Sequence, residues 1–286
     1  MRVGGGGAAD WAHPLRQRCE GPARSAVWYP SGVIKAVTFD FWNTLFVDRN
    51  GAQREGLRVE ALAAELLDQG IRVDEARLTE GVAHGFDYFD RVWHDEHRTP
   101  DTAEILDAQL VELGVTLPAE ARERVVARFA DLVLELPPDP VDDAARIVAE
   151  LGAGYQLAVI CDTGYSPGST LRELLRRHGM LDWFEVTYFS NEGGTSKPDP
   201  QVFRSVLERL DVRPAEAVHV GDMQRTDIAG AHGAGMWAIH FVGANDHDAQ
   251  RSTADALISS LDELPEAVGN LTCPGCGLPR KRIIPP

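Results

Sequence analysis

From residue 141 onward the chain exchanges one hydrophobic period for another at short, steady intervals, and this restricts the fold more than any other feature. Helical spacing over 141–151 gives way to a brief apolar run at Gln156–Ile160. The exchange recurs as helix 168–178 and strand Glu185–Phe189, helix 200–210 and strand Ala217–Val220, then helix 225–233 and strand Met236–Phe241. A short strand near Ala256–Ile258 and a last helix over Leu261–Val268 close the series. Continuous apolar runs belong to strands covered on both faces, and the helices between them are the crossovers that parallel strands require. The predicted class is α/β, a doubly wound parallel sheet with helices on both sides.

One strand stands apart from this series. In VIKAVTFDFWNTL, Val33–Leu45, an apolar run rich in β-branched residues stops abruptly at Asp40. Four helical segments and no strand separate it from residue 141. The first runs from about 51 to Gly70, with Leu57, Ala61, Ala64, Leu66 and Leu67 at helical spacing. Asp74 caps a second that reaches about His97, Thr99-Pro100-Asp101 opens a third ending near Gly114, and Pro118 opens a fourth ending before Pro137. The predicted organisation is a core of 33–47 and 141–268, with an α-helical cap domain, 48–140, inserted after the first strand. Residues 1–32 are rich in Gly, Ala, Arg and Pro without periodicity and read as a disordered extension. Residues 269–286 read as a tail carrying Cys273-Pro-Gly-Cys276.

The hydrophobic share of 44% is ordinary for a globular protein, and a net charge of −16 argues against nucleic acid or an anionic membrane as partner. No apolar run approaches the roughly 18 residues of a membrane span. The first residues lack the apolar centre of a signal peptide, so a cytoplasmic location is expected. Four cysteines do not make a disulfide scaffold. In so acidic a chain any phosphorylated ligand needs a local cation. The 28 basic residues include only three lysines, Lys35, Lys197 and Lys281. A lysine kept among arginines marks a place where a compact ammonium is wanted rather than a planar fork.

Chemistry in open α/β sheets gathers at the carboxyl ends of the strands. Four such ends here carry polar residues: Asp40; Cys161-Asp162-Thr163-Gly164; the loop after Phe189 that holds Lys197; and Gly221-Asp222, with Asp227 five residues on. Two or three carboxylates with waters make an octahedral oxygen site for Mg²⁺. Asp40 can act as a nucleophile toward a phosphate if a metal and the Lys197 ammonium screen its charge. Hydroxyl and backbone N–H groups at 161–164 are candidate phosphate-binding groups. Gly221 allows a tight turn beside the metal.

These motifs resemble those of the haloacid dehalogenase-like (HAD) hydrolases: FDFWNTL for the first, Lys197 in SKPDP for the third, GDMQRTDIAGAHGAGM for the fourth. The resemblance implies a Rossmann-like core, Asp40 as nucleophile, and Lys197 as stabiliser of Asp40 and of the transferring phosphoryl group. It further implies Mg²⁺ held by Asp40, the carbonyl of Trp42 and Asp222, with Asp227 as a direct or indirect ligand. The expected activity is hydrolysis of a small phosphorylated metabolite through an aspartyl-phosphate. Two positions depart from the family pattern. Trp42 stands where its phosphatases carry a second Asp as acid/base, followed by Asn43 for the usual Gly; Cys161 stands where the second motif opens with Ser or Thr. Thr163, on the same side of an extended chain, is a candidate substitute. Haloacid dehalogenases also carry an aromatic residue at the acid position, but lack the GD…D metal motif. Phosphonoacetaldehyde hydrolases use a cap lysine, and 48–140 contains none. A non-catalytic relative that keeps the fold is the remaining alternative.

Other features have plainer readings. Asp199 and Pro200 are a helix cap and first turn. Phe86, Phe89 and Trp93 fall at helical spacing and read as core of the helical insertion. Asp90, His94 and His97 read as solvated residues rather than metal ligands, and His219 and His240 as hydrogen-bonded core histidines. Cys273 and Cys276 are half of a zinc site without a second pair. If another group replaces the missing acid, the candidates are Asp162, His84, His94 and His97.

Overall fold

The computed structural model describes residues 34–271. Readings on residues 1–32 and on Cys273 and Cys276 lie outside the described residues. β1 (Ala36–Phe39) leads through β2 (Phe46–Val47) into α1 (Gly51–Asp68), α2 (Glu75–Asp95), α3 (Thr102–Leu113) and α4 (Ala119–Glu135), returning through β3 (Asp139–Pro140). Then follow α5 (Ala144–Gly152), β4 (Gln156–Cys161), α6 (Gly168–Arg177), β5 (Phe184–Phe189), α7 (Ser190–Gly193), α8 (Pro200–Leu210) and β6 (Ala217–Gly221). The described residues end with α9 (Ala229–Ala234), β7 (Trp237–Phe241), β8 (Ala256–Ile258) and α10 (Leu264–Asn270).

Six strands form one sheet in the order β5-β4-β1-β6-β7-β8, and every pair in it is parallel. The chain works outward from β1 through β4 to β5, crosses back to β6, and works outward again through β7 to β8. Neighbours β1 and β6 therefore send their connections in opposite directions, which opens a crevice beyond their carboxyl ends. Register there is fixed by Phe39 opposite Val220, and one residue on the Asp40 N–H donates to the Val220 carbonyl at 2.8 Å.

Alternate residues of the central strands feed two cores. Val37, Phe39, Leu157, Val159, Val218 and Val220 pack beneath α5, α6 and α10. Ala36, Ala158, Ala217 and Ala238 line the other face, where small side chains let α8 and α9 approach closely. The four inserted helices close around a third cluster that includes Leu62, Leu66, Val82, Ile105, Leu106 and Phe129, and Tyr165 from the loop after β4 joins it.

Helix ends fall where the sequence places them. Asp74 accepts from Arg77 N at 3.0 Å, Asp101 and Glu104 make a capping box, and Gly114 ends α3 with φ 69°. Asp199 caps α8, with Pro200 in its first turn. The buried stripe of α1 differs from the predicted one. It is the row Arg54, Arg58, Leu62 and Leu66, whereas Leu67 is 55% exposed. Helical spacing alone does not choose between two adjacent stripes, and here two arginines occupy the inward one. The expected helix 225–233 divides into a wide π-helical turn, Gln224–Ile228, and α9. The paired β2 and β3 are too short to leave a period in the sequence. Among the described residues no helix is long and apolar enough to cross a membrane.

Candidate active site

Asp40 leaves the tip of β1 and is 5% exposed. The turn behind it closes through Asn43 N–H to the Phe46 carbonyl at 2.7 Å and Leu45 N–H to the Phe41 carbonyl at 3.0 Å. Asn43 adopts φ 55°, which explains why a residue other than the usual glycine can stand there: Asn tolerates the left-handed region better than most side chains. Thr44 Oγ1 donates to Asp40 Oδ2 at 3.3 Å and limits rotation of the carboxylate.

Lys197, 2% exposed, reaches in from the loop after α7. Its Nζ donates to Asp40 Oδ1 at 2.5 Å and to Asp227 Oδ1 at 2.7 Å. Asp227 lies in the π-helical turn, where its Oδ2 accepts from Met223 N at 3.0 Å. His219 stands below with Nε2 3.2 Å from Asp227 Oδ1 and Nδ1 2.8 Å from Thr38 Oγ1. Asp222 follows β6, and its Oδ2 accepts from Asn245 Nδ2 at 2.8 Å. Carboxylate oxygens of Asp40, Asp222 and Asp227 lie within 4.8 Å of one another. Gly221 has a different task from the predicted tight turn. Its φ is not in the left-handed region, and a Cβ there would lie 2.4 Å from Asp227 Cγ.

Burial pushes Asp40 well above the usual carboxylate range, with Lys197 opposing. Burial, aided by the charge of Asp227, raises Asp222 to about 6. Asp227 goes the other way: burial is outweighed by Lys197 and His219, which hold it below the ordinary value. Burial also works against the Lys197 charge, but Asp227 and Asp40 hold it well above the normal lysine range. A net negative cluster persists around one ammonium, and its all-oxygen donor set fits a hard divalent cation such as Mg²⁺.

The predicted phosphate-binding run is divided. Asp162 and Gly164 line the cavity over this cluster. Cys161 and Thr163 do not, because both point into the protein. Cys161 Sγ, fully buried, faces the Asp162 carbonyl at 3.4 Å. Thr163 is held by Ser190 Oγ at 3.0 Å and Asn191 Oδ1 at 3.1 Å. Asp162 links two elements, accepting from Trp93 Nε1 of α2 at 2.8 Å and from Lys197 N at 3.0 Å.

The cavity holds about 340 Å³ between the strand tips and the inserted helices. Trp42 lines it, as do Phe86, Phe89 and Trp93, so that stripe forms a cavity wall, while Phe89 also packs against the core of the inserted helices as expected. His84, His94 and His97 do not line it. Of the two core histidines, His219 is satisfied at both nitrogens, whereas His240 bonds the Asp222 carbonyl at 2.8 Å through Nε2 and leaves Nδ1 without a partner. Sequence reasoning missed His219 as a support of Asp227, and also Ser190, Asn245, Arg58 and Tyr165. Only Arg58 left a signal, a cation four residues before Leu62 and eight before Leu66 in one row.

The family model for haloacid dehalogenase-like hydrolases matches residues 34–235. The chain is 37% identical over 102 residues to a ribulose-1,5-bisphosphate 5-phosphatase of Halopiger xanaduensis, covering 33% of this chain and 43% of the relative. It is 31% identical over 118 residues to a glyceraldehyde 3-phosphate phosphatase of Pyrococcus furiosus, covering 40% of this chain and 48% of the relative. Both alignments thus span less than half of the relative's length. A glyceraldehyde 3-phosphate phosphatase of Methanothermobacter thermautotrophicus aligns more fully, at 28% identity over 72% of this chain and 85% of its own. Among solved structures, a 2-haloacid dehalogenase from Pseudomonas syringae superposes with TM-score 0.63 at 27% identity, covering 83% of this chain and 99% of that one. A HAD phosphatase from Thermococcus onnurineus gives TM-score 0.58 at 24% identity, over 82% and 98%. With its sheet order, its strand-end carboxylates and a family model matched over most of the described residues, the chain belongs to the haloacid dehalogenase-like hydrolases.

Proposed function

We propose that the chain is a Mg²⁺-dependent phosphatase that acts on a small phosphorylated metabolite through an aspartyl-phosphate at Asp40. The observation that carries the reading is the Lys197 ammonium, held 2.5 Å from Asp40 and 2.7 Å from Asp227 at the floor of the cavity. A lysine so placed opposes the upward push that burial gives the Asp40 carboxyl and meets the charge of an incoming phosphate. Phosphatases among the relatives support the same substrate class. Small soluble metabolites fit a cytoplasmic location.

In the proposed reaction an Asp40 oxygen forms a bond to phosphorus while the ester P–O bond breaks and the leaving group keeps the electron pair. Water then attacks phosphorus, releasing phosphate and restoring the carboxylate. Thr44 orients Asp40, and Asp227, itself held by Met223 N and His219, positions Lys197. Asp40 and Asp222, with the Trp42 carbonyl, would hold Mg²⁺, which when bound adds positive charge where two anions must meet. Asp227, held by Lys197 and His219 at one oxygen and by Met223 N at the other, fixes Lys197 and deepens the negative field. Trp42 at the acid position offers an N–H of no useful acidity. The favoured esters are those whose leaving group departs without a proton. The inserted helices act as a cap that closes the cavity.

Acid-quenched incubation of the full chain with Mg²⁺ and a radiolabelled aryl phosphate tests this reading. Label should appear on protein and be lost in Asp40→Asn; turnover without any labelled protein in rapid quench would count against the covalent step. The 2-haloacid dehalogenase reading is favoured by Trp42 and by the similarity to the 2-haloacid dehalogenase from Pseudomonas syringae. The carboxylate cluster weighs against it, since it would repel a carboxylate substrate in the absence of a cation. Halide release from a 2-haloacid by metal-free protein would reverse the preference.

A further inference from the structure

Along α1, Arg54, Arg58, Leu62 and Leu66 recur every fourth residue and form one buried row. The two leucines enter the core of the inserted helices, and the two arginines turn to the cavity over Asp40. Their situations differ. Arg54 is used by the fold: Nη1 donates to the Leu136 carbonyl at 2.6 Å and Nη2 pairs with Asp48. Arg58 is 5% exposed, its Nε has no hydrogen-bond partner, and no ion pair forms with it among the described residues.

Its guanidinium lies 3.9 Å from the centroid of the Tyr165 ring, with Phe86 5.7 Å away. Tyr165 is itself fixed, since its OH accepts from Gln109 Nε2 at 2.7 Å and its carbonyl from Thr102 Oγ1 at 2.9 Å. Stacking satisfies the face of a guanidinium and leaves the N–H edge free. Burial brings Arg58 down to about 10, so it stays charged near neutral pH. A buried cation with no ion-pair partner, attracted only at longer range by Asp48 and Glu55, is costly, and a fold that keeps one beside a ligand cavity has a use for its edge. Of the cavity's cations, Lys197 is occupied by Asp40 and Asp227, and Arg54 by Asp48. Arg58 alone among these remains to be matched.

The geometry points to Arg58 as the receptor for a second anionic group, a carboxylate or a phosphate, on a substrate whose scissile phosphate lies at Asp40. Phe86, Phe89 and Trp93 then bound the apolar middle of that substrate. This inference rests on the phosphatase reading and narrows it to compact, doubly anionic phosphate esters. A cavity of about 340 Å³ holds only a small one. Asp48, which also lines the cavity, is paired to Arg54 and forms no ion pair with Arg58 among the described residues.

The test uses the full chain with Mg²⁺ and three probes: phenyl phosphate, 4-carboxyphenyl phosphate and 1,4-phenylene bisphosphate. One or both doubly anionic esters should surpass phenyl phosphate in kcat/KM by roughly 10- to 150-fold, the range of a charge-assisted hydrogen bond, mainly through KM. The better of the two identifies the group as carboxylate or phosphate. Arg58→Met should bring that ratio close to one, and Arg58→Lys should restore part of it. An unchanged ratio in Arg58→Met, or no preference in the wild type, overturns the assignment. A readout free of turnover separates this from the phosphatase reading. The non-hydrolysable 4-carboxyphenylphosphonate and 1,4-phenylenebisphosphonate are compared with phenylphosphonate. The better doubly anionic one should raise the wild-type melting midpoint more than phenylphosphonate does, and Arg58→Met should abolish the difference. A difference that survives in Arg58→Met overturns the assignment. If the difference depends on Arg58 while no ester turns over, Arg58 keeps its role and the phosphatase reading falls. Arg58→Met itself should melt no lower than the wild type, because it removes an unmatched buried charge.

Discussion

The carboxylate of Asp227 occupies the space that a side chain on residue 221 would fill: a Cβ there would lie 2.4 Å from Asp227 Cγ and 2.8 Å from Oδ2. The bare glycine at the end of β6 is thus what allows Asp227 to lean over and hold Lys197. Gly221→Ala should push Asp227 aside and misplace the ammonium. Turnover should fall about 100-fold, the order expected of an ångström-scale displacement, with a lower melting midpoint. A crystal structure of the variant with Lys197 unmoved and activity intact would refute this.

Metal binding should depend on Asp222 in a way calorimetry can read. Asp222 has Asn245 on one oxygen and lies beside Asp40, so Asp222→Asn removes a donor while keeping the hydrogen-bonding shape. Mg²⁺ affinity should drop by about 10-fold or more, and chelation of metal should abolish ester hydrolysis. Equal affinity in the two proteins would mean that the cation sits elsewhere.

Trp42 should set the order of substrates. With no proton donor at that position, alkyl phosphates should lag aryl phosphates by about 10²–10⁴-fold. The pH–rate profile should carry no limb assignable to His84, His94 or His97. Trp42→Asp should narrow the gap. Comparable alkyl and aryl rates in the wild type, lost for alkyl esters alone in Asp162→Asn, would instead give the proton to Asp162.

Acid should weaken the fold through Glu216. Arg213 Nη2 at 2.6 Å and Lys35 Nζ at 2.9 Å hold its carboxyl at about 2, Arg213 contributing more. A carboxyl depressed in the folded state stabilises above its unfolded value, near 4.5, and that stability is lost as pH falls toward 2. Glu216→Gln should lower the melting midpoint at neutral pH and flatten its decline between about pH 4.5 and about 2. A parallel decline in both proteins would show that other groups govern that range.

What the sequence displayed best was the sheet and its tips. Apolar runs that stop at Asp40 or Gly221-Asp222 announce buried strands and the residues beyond them, and the scarcity of lysine, three among 28 basic residues, drew notice to Lys197. The limits have a common cause, which is direction. Cys161 and Thr163 do point the same way, but it is the inward way, and the alternate residue, Asp162, faces the cavity; a period of two gives pairs of faces without saying which is wet. Phe86, Phe89 and Trp93 have the spacing of a core stripe, and nothing in that spacing separates a core from a cavity wall. His219 bears on Asp227 through a contact between a strand and a turn, which local pattern does not encode.

The inserted helices enter and leave through a doorway only two residues wide. Phe46 pairs with Pro140 and Val47 with Asp139, and Val141 N–H bonds the Leu45 carbonyl at 2.9 Å. Whatever lies between Asp48 and Pro138 begins and ends at the same spot, so its length and content can change without shifting a strand of the sheet by one residue. Asp40, Lys197, Asp222 and Asp227 lie outside that stretch; Arg58, Phe86, Phe89 and Trp93 lie within it. Descendants of such a gene can therefore trade one clientele for another while passing on the reaction unaltered.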